Sequence, residues 1–248
     1  MIRVSRIIEI YLLMIKIIFF GNGPLADITK QLLEESQNCQ IIFHAKRKED
    51  LDIVKHLKLT NPDAFGILAS FGTLIKSDLL KLFEPTGILN LHPSLLPKYR
   101  GASPIETAIL NGDRDFSISI MKLVKAMDAG PIYYQTTIKS HDFSSPFPDK
   151  SEIYNKLSTR ATEWLIKHLD NLPKTTIQDE SKATYTYKFN TSMSQLDLSK
   201  TAMDLLNQIR AFQGFPKSKL QINQHECIIL AAHLNTNSQT DQHARVKI

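Results

Sequence analysis

The 248-residue chain has only two cysteines, Cys39 and Cys227, far apart and outside any CxxC or Cys/His ligand spacing. That excludes a disulfide framework and gives no support to a structural zinc, so free thiols in a reducing, cytoplasmic compartment are expected. No stretch reaches the roughly 18 consecutive apolar residues of a membrane span. The nearest, IIEIYLLMIKIIFF (7–20), is broken by Glu9 and Lys16 and lacks a small-residue cleavage site, so neither a span nor a signal peptide is expected. Internal repeats and low-complexity segments are also missing. Charge is not strongly of one sign: 30 basic against 25 acidic residues leave a formal +5. Such a mild excess suits an anionic partner such as RNA, but many proteins that never touch nucleic acid are as basic.

What is present is a strand and helix alternation, in a chain long enough for one large α/β domain and a smaller appendage. IKIIFF (15–20) runs into Gly21-Asn22-Gly23-Pro24, a buried strand meeting a turn, and Leu25, Ile28 and Leu32 follow at helical spacing. Further strands are expected at 40–43, 65–70, 87–91, 117–125 and 132–138. Helices are expected over 46–57, from a Ser77 cap to Phe83, over 103–112 and over 151–170. Ser103, Pro104, Glu106 and Gly112 form the signature of a capping box closed by glycine. Ile153, Leu157, Ala161, Leu165 and Leu169 share one helical face. The fold class this implies is α/β, a doubly wound, mostly parallel sheet with a small β-containing appendage.

Residues 14–182 would form the main domain and 183–199 a linker. Residues 200–248 would add a helix, a β-hairpin from KLQI and ECIILAAHL, and a polar tail. MIKIIFFGNGP from Met14 already reads as a complete first strand and turn, so residues 1–13 are expected to be an upstream extension; an ordered N-terminal helix is the alternative.

Chemistry concentrates in ILNLHPSLLPKYRGASPIETAIL (88–110). Side chains two apart on a strand point the same way, so Asn90 and His92 converge at the carboxyl end of a parallel strand. The crevice outside such ends is where open α/β sheets take ligands. Asp128, in the glycine-containing loop after 117–125, is placed to reach the same crevice. An amide, an imidazole and a carboxylate suit acyl transfer to an amine, with an oxyanion held by Asn90 and His92 and protons handled through Asp128. On its own, Asn-x-His is weak evidence, since a lone strand-end histidine is more often a packing or capping residue.

The longer string NLHPSLLPKYRGASPI, followed by MDAGPI, closely resembles the N10-formyltetrahydrofolate-dependent formyltransferases. The linker and later segments ATYTYKFN, LDLSKTAMDLLNQIRAF and GFPKSKLQI resemble the methionyl-tRNA formyltransferases among them. The likeness runs from about Ile15 to about Leu230. It implies Asn90, His92 and Asp128 as the catalytic trio. It also implies a folate pocket formed by Ser94, Leu95, Leu96 and Pro97, by Gly72, Leu74 and Ile75 of SFGTLIKS, and by Gly130. N10-formyltetrahydrofolate as co-substrate, initiator methionyl-tRNA as partner, a role in initiation of translation, no metal, no membrane and a monomer all follow as expectations.

Two departures bear on the partner. Where the family carries a long basic loop after the second strand, only HAKRKEDLD (44–52) is present, leaving Lys46, Arg47, Lys48 and Arg100 as candidate tRNA contacts. Fewer than about fifty residues follow the linker, too few for a full OB-type barrel. A sugar-nucleotide amine therefore stays open as the alternative acceptor, while glycinamide ribonucleotide is disfavoured by the linker segments. A dinucleotide site at Gly21-x-Gly23 is weak, because Pro24 intrudes and His44 occupies the position of an acidic ribose partner. A non-catalytic RNA-binding relative is disfavoured by the intact trio.

Overall fold

The IKIIFFG strand is apolar throughout because both of its faces are covered. In the computed structural model, which describes residues 14–234, alternation sends Ile17 and Phe19 into one hydrophobic cluster and Ile18 and Phe20 into another. The extension expected at 1–13 and the polar tail lie outside the described residues.

Strands β1 (Ile15–Gly21), β2 (Cys39–Ala45), β3 (Phe65–Ala69), β4 (Ile88–His92), β5 (Phe116–Lys122) and β6 (Ile132–Ile138) form one sheet in the order β2-β1-β3-β4-β5-β6. The first four run parallel, and β5 and β6 are antiparallel to their neighbours. Helices α1 (Pro24–Glu35), α4 (Pro104–Leu110) and α5 (Lys150–His168) cover one face. Helices α2 (Leu51–Thr60) and α3 (Ser77–Leu82) cover part of the other.

Helix α5 follows its pattern. Asp149 caps it by accepting from the Glu152 amide, and Ile153, Leu157, Ala161 and Leu165 are all fully buried. Each larger side chain of that stripe contributes about 1.5–3 kcal/mol relative to exposure. Trp164 stacks between Tyr134 and His168 at 4.8 and 4.6 Å.

Four local expectations change. The buried stripe of α1 is Leu25, Ala26, Thr29 and Leu33 rather than Leu25, Ile28 and Leu32. The helix is turned so that small residues meet α5, where Ser158, Ala161 and Thr162 are buried. Helix α3 begins at Ser77 itself, after Lys76, with no side-chain cap. Ser103 precedes α4 but its hydroxyl makes no cap; its amide donates to Thr186 Oγ1 at 3.2 Å, and the Glu106 carboxylate pairs with Lys150 at 3.2 Å. The charged stretch after β2 opens with one 3-10 turn before α2 starts at Leu51.

Beyond α5 the chain returns along the sheet, then forms α6 (Ala202–Ala211) and a hairpin of β7 (Ser218–Ile222) and β8 (His225–Ile229). Leu196, Leu205, Ile209 and Ile229 make its small core, and α6 lies on α4. Phe212 is buried against Phe189, whereas Phe215 is 57% exposed. Both cysteines are free thiols. Among the described residues no helix is long and apolar enough to cross a membrane.

Candidate active site

Strand β4 divides its side chains by chemistry. Leu89 and Leu91 enter the helix-covered core, whereas Asn90 and His92 continue the face that Ile88 begins. Asn90 is paired with Leu68 on β3 and Met121 on β5, and His92 with Ser119 on β5. Both polar side chains are buried, at 6% and 5% exposure.

Asp128 meets them. Asn90 Nδ2 donates to Asp128 Oδ1 at 3.4 Å, and His92 Nδ1 lies 3.6 Å from Asp128 Oδ2. The same Oδ2 accepts from the Gly101 amide at 2.8 Å. His92 Nε2 faces the Tyr99 carbonyl at 2.8 Å. A carbonyl can only accept, so Nε2 carries a hydrogen and Nδ1 is the nitrogen turned toward Asp128.

Asp128 arrives by an unexpected route. Because β5 runs antiparallel to β4, Lys122 at its carboxyl end sits beside Leu89, at the wrong end of β4. The loop after it doubles back over the sheet to reach Asn90 and His92. Lys122 donates its amide to the Pro131 carbonyl at 2.9 Å, closing the excursion. At Gly130 a Cβ would stand 1.8 Å from the Lys122 carbonyl oxygen, so only glycine permits this closure. Asp128 itself holds φ 47°, a left-handed conformation uncommon outside glycine.

The loop after His92 is braced from below. Ser119 Oγ donates to the Ser94 carbonyl at 2.6 Å and accepts from the Leu96 amide at 3.1 Å. Gln135 Nε2 reaches both Ser119 Oγ and the Leu96 carbonyl at 2.9 Å. Of the expected folate residues, Leu74 (78%) and Leu95 (46%) are exposed beside the ends of β3 and β4. Gly72, at φ 66°, has open space around it. Pro97 is half-buried and its carbonyl accepts from the Thr184 amide. Ser94, Leu96, Ile75 and Gly130 are turned inward: Ser94 Oγ donates to the Lys98 carbonyl, Leu96 packs on Met121 and Ile132, and Ile75 joins the second core.

Arg100 does not face outward. It is 1% exposed, and its guanidinium is shared between Glu180, at 2.7 and 2.9 Å, and Gln178 Oε1, at 2.8 and 3.1 Å. That saturates it, so the expected tRNA contact is unavailable there. The partner Glu180 carboxyl is held below its usual range by this hydrogen bonding. Lys46, Arg47 and Lys48 are exposed at the end of β2. Three strand spacings separate β2 from β4, which puts them about 14 Å from the trio.

Sequence reasoning missed Ser119, Gln135 and Gln178, which hold the site without touching its open side. Only their pairing partners, 16 to 78 residues away, reveal them. A cleft of about 490 Å³ opens on the other side of the 93–99 loop, walled by Leu95, Lys98, Arg114, Ser117, Thr137 and Lys139. None of the trio lines it. Lys98–Asp113 and Lys139–Asp115 ion pairs, each at 2.9 Å, flank this cleft. Among the described residues, no group of three His, Cys, Asp or Glu side chains is arranged to hold a metal.

An amide, an imidazole and a carboxylate gathered on one face beside the carboxyl ends of parallel strands define an α/β protein with a site suited to acyl transfer. The chain belongs to the formyl transferase family, whose model matches residues 21–169. It is similar to the methionyl-tRNA formyltransferase of Borrelia hermsii (strain HS1 / DAH), 35% identical over 195 residues, 77% of this chain and 61% of that protein. Thus the chain spans about three-fifths of the length of such curated relatives. In fold it is similar to the methionyl-tRNA formyltransferase from Clostridium thermocellum, with TM-score 0.69 and 16% identity over 91% of this chain and 96% of that one. It is also similar to HypX from Aquifex aeolicus in complex with tetrahydrofolic acid, with TM-score 0.74 and 17% identity over 93% of this chain and 40% of that one.

Proposed function

We propose that the chain transfers the formyl group of N10-formyltetrahydrofolate to the α-amino group of methionyl-tRNA, with Asn90, His92 and Asp128 as the catalytic residues. The observation that carries this reading is the meeting of Asp128 with both Asn90 and His92, at 3.4 and 3.6 Å. Support for the acceptor comes from relatives named methionyl-tRNA formyltransferase. Support for the folate comes from the family match and from the exposed apolar Leu74, Leu95 and Met127 beside the strand ends.

In this mechanism the acceptor amine attacks the formyl carbon and the carbonyl electron pair moves to oxygen. Asn90 has a second Nδ2 hydrogen free of Asp128, and it and the Nδ1 hydrogen that His92 carries in its doubly protonated, imidazolium form stabilise that oxyanion. Asp128 takes the amine proton. The bond from carbon to N10 then breaks, and N10 leaves with a proton relayed from the same pair. No serine or cysteine nucleophile is required. Lys46, Arg47 and Lys48 contact the RNA from the far edge of the sheet.

Transfer of labelled formyl from N10-formyltetrahydrofolate to charged initiator tRNA tests the reading, and no transfer to the RNA refutes it. A second acceptor class, a sugar-nucleotide amine, is favoured by one observation: only residues 46–50 separate β2 from α2, leaving no long basic loop. The same assay with an amino-sugar nucleotide decides between them.

A further inference from the structure

We propose that Arg114 and Arg210 form a phosphate-binding site at the end of the cleft beside the catalytic loop, taking a backbone phosphate of the acceptor RNA. The choice of RNA rests on the function proposed above; the site itself rests on the following geometry.

Arg210 projects from α6 and is 8% exposed. Its Nη1 donates to Asn207 Oδ1 at 3.1 Å and its Nη2 to the Pro148 carbonyl at 2.8 Å, while its buried Nε has no partner. Arg114, in the turn between α4 and β5, is exposed. Neither guanidinium forms an ion pair with a carboxylate among the described residues. Both stand over one ring, Phe147, with Arg114 Cζ at 4.7 Å and Arg210 Cζ at 5.6 Å from its centroid. A cavity of about 50 Å³ lies between them, lined also by Asn207 and Gly112. The acid at its edge, Asp113, is committed elsewhere, to Lys98 at 2.9 Å and the Tyr99 hydroxyl at 3.0 Å.

An arginine cannot shed its proton, and a buried cation without a counter-ion is unfavourable. A second cation nearby aggravates this. Burial first, then Arg114, push the Arg210 guanidinium down, with only Asp149 opposing. The missing component is an anion. Two guanidinium forks and an amide match a phosphate better than a point charge would. The cavity has room for a few water-sized groups, the scale of one phosphoryl group.

Position links the pair to the reaction. Asp113 and Arg114 also wall the 490 Å³ cleft, whose opposite wall is Pro93, Ser94 and Leu95, directly after His92. A polyanion lying in that cleft would set one phosphate on the arginines with its reactive end toward the catalytic loop.

Arg114→Ala is the test, since an exposed side chain can be removed without threatening the fold. Tens of millimolar inorganic phosphate, against chloride at matched ionic strength, should raise the melting temperature of the wild type and not of the variant. Binding of initiator tRNA should weaken about three- to tenfold in the variant, and the slope of log K against log salt should fall by about one. If phosphate protection is lost while RNA binding is unchanged, the site stands and its phosphate comes from a small molecule, which a nucleoside diphosphate titration would confirm. If wild-type protein protected by phosphate fails to bind tRNA, the acceptor assignment falls and the site remains. Equal phosphate protection of both proteins overturns the proposal.

Discussion

Gln178 Nε2 donates to the main-chain carbonyl of Asp128 at 2.8 Å and, within the same loop, to that of Gly130 at 2.7 Å. Its Oε1 meanwhile accepts from Arg100. Gln178 lies beyond the span matched by the family model, yet it pins the loop in which Asp128 is held at positive φ. Glutamine is suited to this because one end donates twice and the other accepts twice. The buried Arg100 next to it keeps the amide oriented.

Gln178→Glu keeps an acceptor for Arg100 and puts an oxygen against two carbonyl oxygens. The loop should shift, and formyl-transfer kcat should fall about ten- to hundredfold with the folate KM unchanged. Amide hydrogen exchange over residues 126–130 should accelerate in parallel. A variant that keeps wild-type kcat and exchange would show that Gln178 does not position Asp128.

Removal of the trio members tests the roles proposed for them. His92→Ala should lower kcat by about a hundred- to a thousandfold while folate binding, measured directly, changes little, because the oxyanion exists only in the transition state. Asp128→Asn should be nearly as severe, since it removes the carboxylate that faces both Asn90 and His92. Steady-state kinetics beside folate titration separates the two quantities, and unaltered turnover in either variant would remove it from the mechanism.

Much of this was legible in the sequence, for identifiable reasons. Asn90 and His92 were found because a two-residue period fixes their common face, and α5 because its apolar stripe is unbroken. The route of Asp128 was not, since nothing in residues 117–131 alone says that β5 would turn antiparallel and send its loop back over the sheet. Arg100 was misjudged for a related reason: its partners Gln178 and Glu180 come from a segment about 80 residues later. Ser103 shows the limit of local signals, as its amide pairs with Thr186 and the Glu106 carboxylate with Lys150, both from later segments.

Thr29 offers a stability test outside the site. It is fully buried on α1, and its hydroxyl has no hydrogen-bond partner. Valine has nearly the same shape without the stranded polar group. Thr29→Val should therefore stabilise the protein by about 1 kcal/mol, seen as a melting temperature higher by about 2–4 °C. A lower melting temperature would show that the hydroxyl is satisfied in solution.

Asp149 gives a prediction with a pH sign. The Glu152 amide first, and the Ser151 hydroxyl next, hold its carboxyl below the ordinary aspartate range. A group depressed in the folded state binds fewer protons there than in the unfolded chain. Its contribution is thus complete above about pH 4 and disappears as pH falls through the folded value. An asparagine in its place would be an uncharged cap with no such dependence, so Asp149→Asn should cost a few tenths of a kcal/mol near neutrality, a gain kept small by exposure and screening. Asp149→Ala, which loses the cap itself, should cost about 1 kcal/mol. Denaturant melts across this range should show the wild-type and Asp149→Asn stabilities converging in acid, whereas a gap that widens on acidification would contradict the assignment.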